Sequence, residues 1–192
     1  MNLHAMLRLL IFVPIFGLSI FISGSTLQAS QVPYTRIINK HSGMCLTVLP
    51  EYKGINGASV IQAPCEYPIK KHQLWYILSI DGRSRYYRII SELDGKCLDV
   101  PLEAKDYNGT KLQMWDCYGL GQWNQIWYQN RFEQKSHGYI TGYWNWVNKA
   151  THKCLDVPLE YYRESGTRIQ QWNCYGKGQS NQHWGDLFWP MR

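Results

Sequence analysis

The fold is decided by a repeat of 31 residues. Residues 97–127 read CLDVPLEAKDYNGTKLQMWDCYGLGQWNQIW, and residues 154–184 read CLDVPLEYYRESGTRIQQWNCYGKGQSNQHW. The two stretches agree at 19 of their 31 positions without a gap. Residues 45–75, CLTVLPEYKGINGASVIQAPCEYPIKKHQLW, form a third and more divergent copy. Repeats of this size indicate one supersecondary unit that the chain uses three times.

The six cysteines follow the same repeat. Each copy begins with a cysteine and holds a second one 20 residues later. Many pairings are open to six cysteines, and the repeated interval favours three local disulfides: Cys45–Cys65, Cys97–Cys117 and Cys154–Cys174. Each would close a loop worth ~3 kcal/mol in the chain-entropy model. The alternative is a zinc site, but zinc ligands usually come in close CxxC-like pairs, and the sequence has none. We therefore expect no metal and no other cofactor.

Within each repeat the residue pattern predicts short strands. Residues 97–100 and 111–115 alternate apolar and polar side chains at period two. Turn-forming pairs such as Asn108-Gly109 separate them, and no helical periodicity of useful length is present. Three units of about four strands each predict an all-β, closed body with threefold symmetry, since closure removes exposed strand edges.

The N-terminal residues 1–29 are predicted to be a secretory signal peptide. Arg8 precedes a largely apolar run over residues 9–22, and Leu27 and Ala29 fit the −3 and −1 positions of a cleavage site before Ser30. The run is shorter than the ~20 residues that span a bilayer, so an uncleaved anchor is the weaker alternative. We expect a secreted, extracellular protein, in a compartment that permits disulfides.

The composition excludes several classes of function. The net charge is +6, but the 20 Lys and Arg residues are scattered, so a nucleic-acid partner is not indicated. Tryptophan and tyrosine are abundant, with 9 Trp and 14 Tyr against 5 Phe. Where Trp and Tyr are so favoured over Phe, the rings often face polar partners.

All three copies end in Gln-x-Trp, at residues 73–75, 125–127 and 182–184. The succession of C-L-D-V, Q-x-W-x-C and N-Q-x-W, in phase with equal cysteine intervals, resembles the ricin B-type lectin family, the QxW β-trefoil lectins. The resemblance covers residues 34–189, with lobes of about 34–83, 84–134 and 135–189. It implies a β-trefoil of three QxW repeats with one disulfide in each. It also implies that Trp75, Trp127 and Trp184 lie in the core.

The second and third repeats carry residues suited to a sugar. A sugar offers hydroxyls at its edge and, in galactose, an apolar C–H face, so its site needs an aromatic ring beside a carboxylate and an amide. The resemblance implies an Asp as hydroxyl acceptor, a Trp as stacking plate and an Asn as second polar contact. In repeat two these are Asp99, Trp115 and Asn124. In repeat three they are Asp156, Trp172 and Asn181.

Four glutamines of these repeats have two open interpretations: they bridge to the sugar, or they support the Asp and its strand. They are Gln113, Gln125, Gln170 and Gln182. The Asp and Trp residues also have a structural interpretation, in which the Asp side chains cap turns and the Trp side chains belong to the core. The segments Pro101-Leu-Glu103 and Pro158-Leu-Glu160, which follow the two Asp-bearing strands, are interpreted as plain turns, with a role in the site rim as the alternative.

Repeat one departs from this pattern. Thr47 stands where the Asp is expected, Pro64 replaces the stacking Trp, and His72 replaces the Asn. Gln62 and the Gln73–Trp75 segment are retained. Because the scaffold persists without the Asp, Trp and Asn, those residues are not needed for folding. We therefore interpret lobe one as structural and lobes two and three as binding.

The sequence predicts a binding protein and no catalysis. Glycoside hydrolysis needs two carboxylates that flank one bond, whereas Asp99 and Asp156 belong to different lobes. The motifs GxSxG and HExxH are absent. We expect a lectin for galactose- or N-acetylgalactosamine-type glycans on glycoproteins or glycolipids, in contact with membranes only through those glycans.

Two other functions stay open. The chain could be the cell-binding carrier subunit of a secreted multi-chain toxin, with a partner protein docked on lobe one and the Trp-rich residues 139–147. It could also be a polysaccharide-binding module. A large exposed aromatic patch at Trp144 and Trp146 would favour the carrier function, whereas burial of both rings would favour packing between lobes.

Overall fold

The computed structural model describes residues 34–80, 82, 85–133 and 142–188, without the side chains of 131–133 and 186–188. The chain divides into two units, Met1–Gln31 and Val32–Arg192, and every described residue belongs to the second. The proposed signal peptide lies outside the described residues, so its assignment stays a prediction. The described residues include no helix with the length and apolar character that a membrane crossing requires.

The described part of the chain forms twelve β-strands, four in each repeat. In chain order they are β1 Thr35–Asn39, β2 Cys45–Val48, β3 Ala58–Ala63, β4 Trp75–Ser79, β5 Tyr86–Ser91, β6 Cys97–Asp99, β7 Gln113–Trp115, β8 Trp127–Glu133, β9 Tyr143–Asn148, β10 Cys154–Asp156, β11 Gln170–Trp172 and β12 Trp184–Phe188. Short 3₁₀ helices connect some of them: Pro50–Tyr52, Lys71–Gln73, Leu102–Ala104, Trp123–Gln125, Leu159–Tyr161 and Ser180–Gln182. The predicted all-β class is confirmed.

Six of the described strands close into a barrel. The antiparallel pairs run β1–β4, β4–β5, β5–β8, β8–β9, β9–β12 and back through β12–β1. The other strands form three hairpins, β2–β3, β6–β7 and β10–β11, each joined to the barrel strand that precedes it. The hairpins also touch one another, through β3–β7 and through single bridges at Ile61–Arg168 and Lys111–Gln170. This is the closed, threefold body that the repeat predicted and the β-trefoil that the family resemblance implied.

The last tryptophan of each repeat fills the core. Trp75, Trp127 and Trp184 are fully buried. Their indole N–H groups donate to the carbonyls of Leu46, Leu98 and Leu155 at 3.0, 3.1 and 2.9 Å. Each bond joins the fourth strand of a lobe to its second strand, and a buried indole N–H usually has such a partner. The prediction that these three residues form the core is confirmed.

The three disulfides are Cys45–Cys65, Cys97–Cys117 and Cys154–Cys174, as predicted. In each lobe the disulfide ties the start of the second strand to the loop after the third. Trp144 and Trp146 are 4% and 0% exposed. The condition that would have favoured partner docking at these two rings is therefore not met, and residues 139–141 lie outside the described part.

Candidate functional site

A pocket opens in lobe two at the carboxyl end of β6. Its lining combines a nearly buried carboxylate, amides beside it, and aromatic, apolar and acidic side chains around it. These residues are Asp99, Leu102, Glu103, Gln113, Trp115, Tyr118, Gln122 and Asn124. A pocket in lobe three is lined by the residue of the same type at every equivalent position: Asp156, Leu159, Glu160, Gln170, Trp172, Tyr175, Gln179 and Asn181. The structure thus brings eight of the ten predicted site residues into two matched pockets.

The volumes of the pockets suit a small ligand. They are about 280 Å³ in lobe two and about 170 Å³ in lobe three. Pockets for drug-sized ligands measure about 300–1,000 Å³. A single ring with its substituents is the scale of ligand that such shallow sites can enclose.

Amide groups hold the lobe-two carboxylate from both sides. Asp99 is 3% exposed. Its Oδ1 accepts from Gln113 Nε2 at 2.8 Å, and its Oδ2 accepts from Asn124 Nδ2 at 2.8 Å. The backbone places these donors, since Asp99 and Gln113 pair across β6 and β7, and Asn124 lies in the 3₁₀ helix before β8. A carboxylate oxygen has lone pairs for further donors, so Asp99 can still accept from a hydroxyl.

The same kinds of amide donor hold the lobe-three carboxylate. Asp156, also 3% exposed, accepts from Gln170 Nε2 at 2.8 Å, from Asn181 Nδ2 at 2.9 Å and from Gln182 Nε2 at 3.0 Å. The two sites thus share one arrangement of amide donors, since Gln125 also hydrogen-bonds the carboxylate of Asp99.

Burial dominates the titration of both carboxyls. It raises the pKa of Asp99 above its ordinary value and raises the pKa of Asp156 to about 6. Amide donors oppose the rise in both sites because they stabilise the charged form. In Asp156 the nearby ammonium of Lys111 also opposes it. Asp156 is thus a charged acceptor at neutral pH.

A tyrosine that the sequence analysis missed steadies each indole plate. Trp115 Nε1 donates to the Tyr118 hydroxyl at 3.2 Å, and Trp172 Nε1 lies 3.4 Å from the Tyr175 hydroxyl. Both tyrosines are about half exposed and line the pockets. A signal was present, since the tyrosine follows the second cysteine in repeats two and three but not in repeat one.

The asparagines are almost buried and belong to the carboxylate network. Nδ2 of Asn124 donates to Asp99 and to the Val100 carbonyl, and Nδ2 of Asn181 donates to Asp156 and to the Val157 carbonyl. Within the described residues the Oδ1 atom of each asparagine accepts no hydrogen bond. Both asparagines line their pockets, and the Oδ1 of each is a buried acceptor beside the carboxylate.

The last glutamine of each repeat holds backbone groups of its own lobe in place. Gln125 is 1% exposed, its Oε1 accepts from the Tyr118 amide N–H, and its Nε2 donates to the Asp116 carbonyl. Gln182 holds the Tyr175 amide and the Asn173 carbonyl in the same way. Neither lines a pocket. Of the two open interpretations, the contacts of Gln125 and Gln182 fit support, whereas Gln113 and Gln170 both hold the Asp and face the pocket.

The preceding lobe packs against each plate. A Cβ placed on Gly57 of lobe one would lie 3.9 Å from the Trp115 ring, and one on Gly109 of lobe two would lie 3.5 Å from the Trp172 ring. Both glycines have positive φ, 86° and 84°, which favours glycine at a tight turn. Each site is thus built from its own lobe and backed by the lobe before it.

The Leu102–Ala104 and Leu159–Tyr161 segments form the rim. The sequence interpretation gave plain turns as the favoured structure, with the rim as the alternative. Both segments are 3₁₀ helices, and Leu102 with Glu103, like Leu159 with Glu160, lines the pocket. The rim role holds for both.

Lobe one requires a correction of register. Cys45 pairs with Ala63 and Thr47 with Ile61, as Cys97 pairs with Trp115 and Asp99 with Gln113. The counterparts of Trp115 and Gln113 are therefore Ala63 and Ile61. The placements of Pro64 and Gln62 were wrong by one residue. Counting back from Cys65 gives the correct register, because Trp115 stands two residues before Cys117.

The correction removes one more contact from lobe one. Thr47, Ile61, Ala63 and His72 replace the Asp, Gln, Trp and Asn of the other lobes. Gln62 instead links lobe one to lobe three, since its Nε2 donates to the carbonyls of Tyr162 and Glu164. In the described residues no group of three or more His, Cys, Asp or Glu side chains could hold a metal ion.

Fold and site together define a threefold β-trefoil with two matched polar-aromatic pockets. The family model of the ricin-type beta-trefoil lectin domain matches residues 33–139, which is more than half of the 192 residues. The chain belongs to this family of carbohydrate-binding folds. No curated protein matches the sequence.

Solved structures agree with this fold. ThreeFoil, a designed 3-fold symmetric protein, is 26% identical with a TM-score of 0.66, over 81% of this chain and 99% of that one. An exo-beta-1,3-galactanase from Clostridium thermocellum is 27% identical with a TM-score of 0.68, over 83% of this chain but only 31% of the enzyme. The Macrolepiota procera ricin B-like lectin in complex with lactose is 19% identical with a TM-score of 0.62, over 84% and 99%.

Proposed function

We propose that this protein is a secreted lectin that binds galactose- or N-acetylgalactosamine-type glycans through lobes two and three. The observation that carries the proposal is the pair of pockets with the same residue type at all eight lining positions. The first lobe keeps the frame yet loses the Asp, Gln, Trp and Asn together. Residues that vary as a set while the frame persists serve something other than folding.

The chemistry of each pocket supports a sugar ligand. The carboxylate can accept from a sugar hydroxyl, and hydrogen bonds to an ionised acceptor are the stronger kind. The indole, held by the tyrosine hydroxyl, offers a flat face to C–H bonds. Asp99 and Asp156 keep both oxygens in contact with amide donors, which fits a binding role and not proton transfer.

The two sites act together in this proposal. A shallow site that encloses one ring binds weakly on its own. Two sites on one body raise the effective concentration of a second glycan on the same surface, so avidity exceeds the affinity of either site. This arrangement supports the crosslinking of glycan-bearing surfaces.

A glycan array tests the proposal. The wild type is compared with the double variant Trp115→Ala, Trp172→Ala, which removes both plates and leaves the buried carboxylate networks in place. The control is Tyr52→Ala in lobe one: this tyrosine is 40% exposed, and the second lobe has Ala104 at the same position of its 3₁₀ helix.

We expect the wild type and the control to bind galactose-terminated glycans. The double variant should lose this binding. A folded wild type that binds no glycan would refute the lectin proposal. Signal restricted to plant cell-wall polymers would favour the polysaccharide-binding module instead.

A further inference from the structure

A lysine of lobe two takes part in the site of lobe three. Lys111, just before β7, bridges to Gln170 of β11. Its Nζ donates to Gln170 Oε1 at 2.8 Å, and Gln170 Nε2 donates to Asp156 Oδ1 at 2.8 Å. The ammonium, the amide and the carboxylate thus form one relay across the lobe boundary. Since Lys111 fills the acceptor end of the amide, the donor end must face Asp156.

The site of lobe two lacks this cation. Ser59 of lobe one pairs with Gln113 as Lys111 pairs with Gln170, and serine carries no charge. Gln113 makes the same 2.8 Å bond to its carboxylate. The two pockets have the same lining, so the residue behind the glutamine is a difference that comes from the neighbouring lobe.

The charges around the relay are few. Arg168 and Glu160 act on Lys111 together with Asp156, and burial lowers the pKa of its ammonium. Glu160 also lines the pocket. The remaining groups against Asp156 are neutral amides of Gln170, Gln182 and Asn181. Lys111 is thus the cation hydrogen-bonded to this network.

On the basis of the proposed function, we propose that Lys111 is a positioning residue of the lobe-three site. It fixes the Gln170 amide and favours the charged form of Asp156. The lobe-three site therefore binds galactose more tightly than the lobe-two site, and it keeps this affinity to lower pH than it would without the lysine.

The two sites can be followed separately in one protein. In ¹H–¹⁵N NMR spectra, the indole N–H signals of Trp115 and Trp172 report the lobe-two and lobe-three sites during titration with galactose. The variant Lys111→Ser installs the residue that lobe one has at this position. Ser59→Lys makes the reverse exchange in front of Gln113, and Lys111→Arg keeps the cation.

We expect Lys111→Ser to weaken galactose binding at Trp172 by about three- to tenfold, the range of one hydrogen bond, with the Trp115 titration unchanged. The loss of binding on acidification should move to higher pH. Lys111→Arg should retain most of the affinity, and Ser59→Lys should tighten binding at Trp115.

Two results would overturn the inference. One is an unchanged affinity and pH profile at Trp172 in Lys111→Ser. The other is an equal loss at both indoles, which would indicate a general loss of stability. If galactose moves neither indole signal of the wild type, the proposed function itself fails and the inference fails with it.

Discussion

In lobe one, Trp75 donates to the Leu46 carbonyl at 3.0 Å; in lobe two, Trp127 donates to the Leu98 carbonyl at 3.1 Å. Gln73 accepts from the Glu66 amide N–H and donates to the Pro64 carbonyl. Gln125 makes the equivalent bonds in lobe two, to the Tyr118 amide N–H and the Asp116 carbonyl. Yet the position that holds a carboxylate in lobe two holds a threonine in lobe one. The comparison separates two layers: an inner frame shared by all lobes, and an outer set of residues carried by two of them.

The largest effect should come from the inner layer. Trp127→Ala removes a fully buried ring and its hydrogen bond to Leu98. We expect it to lower the free energy of unfolding by about 3–5 kcal/mol. Trp115→Ala, in the partly exposed plate, should cost about 1 kcal/mol while it abolishes binding in lobe two. Urea unfolding followed by circular dichroism compares the two. Equal destabilisation would contradict the separation into layers.

The disulfides should contribute equally in a lobe with a site and in one without. One variant replaces Cys45 and Cys65 by alanine, and the other replaces Cys97 and Cys117. Each removes a disulfide that joins residues 20 positions apart. We expect each pair of substitutions to cost about 3 kcal/mol, as measured by thermal unfolding. A loss confined to the second lobe would show that its disulfide serves the pocket and not the frame.

A graft tests whether the outer layer is sufficient for binding. The substitutions Thr47→Asp, Ile61→Gln, Ala63→Trp and His72→Asn give lobe one the set of the other lobes. Gln73 Nε2 already donates to Thr47 Oγ1 at 3.1 Å, as Gln182 Nε2 donates to Asp156. The new carboxylate at position 47 would therefore have an amide donor within reach. We expect the galactose stoichiometry from calorimetry to rise from two to three.

The control for the graft is Thr47→Asp alone. This variant buries a charge without its full set of amide donors, at a cost of about 1–3 kcal/mol, and it should add no site. A full graft that folds but still binds only two sugars would show that lobe one lacks a determinant outside these four positions. One such determinant is the pocket tyrosine, Tyr118 in lobe two, which lobe one replaces by Glu66.

The fold could be predicted because its determinants are local in sequence. The equal cysteine spacing, the alternation in residues 97–100 and the terminal Gln-x-Trp recur three times, and repetition turned weak signals into a strong one. The site was partly predicted for the same reason. Asp99 and Trp115 were assigned their roles through the family resemblance, and the assignment gained support because repeat three has the same residues and repeat one does not.

The remaining features depend on contacts between repeats. The role of Lys111 arises from a bridge to Gln170, 59 residues further along the chain, which no comparison of repeats reveals. The register of lobe one was missed for another reason. Gln62 resembles the site glutamine in type, but the count back from Cys65 and the pairing of Thr47 with Ile61 both place it one residue after the true counterpart of Gln113.

The smallest expected effect distinguishes binding from folding at the lobe-three site. With the pKa of Asp156 near 6, acidification through pH 6 places a proton on the carboxylate and removes a charged acceptor. We therefore expect galactose binding at Trp172 to weaken as the pH falls from 7 to 5, approaching a tenfold loss for each unit below the pKa. Indole N–H titrations at several pH values measure this.

The contribution of Asp156 to stability should change in the opposite direction. Its folded pKa lies above the ordinary value of 3.8, so between these values the folded state binds more protons than the unfolded state. This contribution is complete below pH 3.8 and is lost as the pH rises through 6. Compared with Asp156→Asn, the wild type should gain stability from pH 7 to pH 5 while it loses sugar. A parallel loss of both would instead mean that acid opens the lobe, and that the carboxylate is part of the frame.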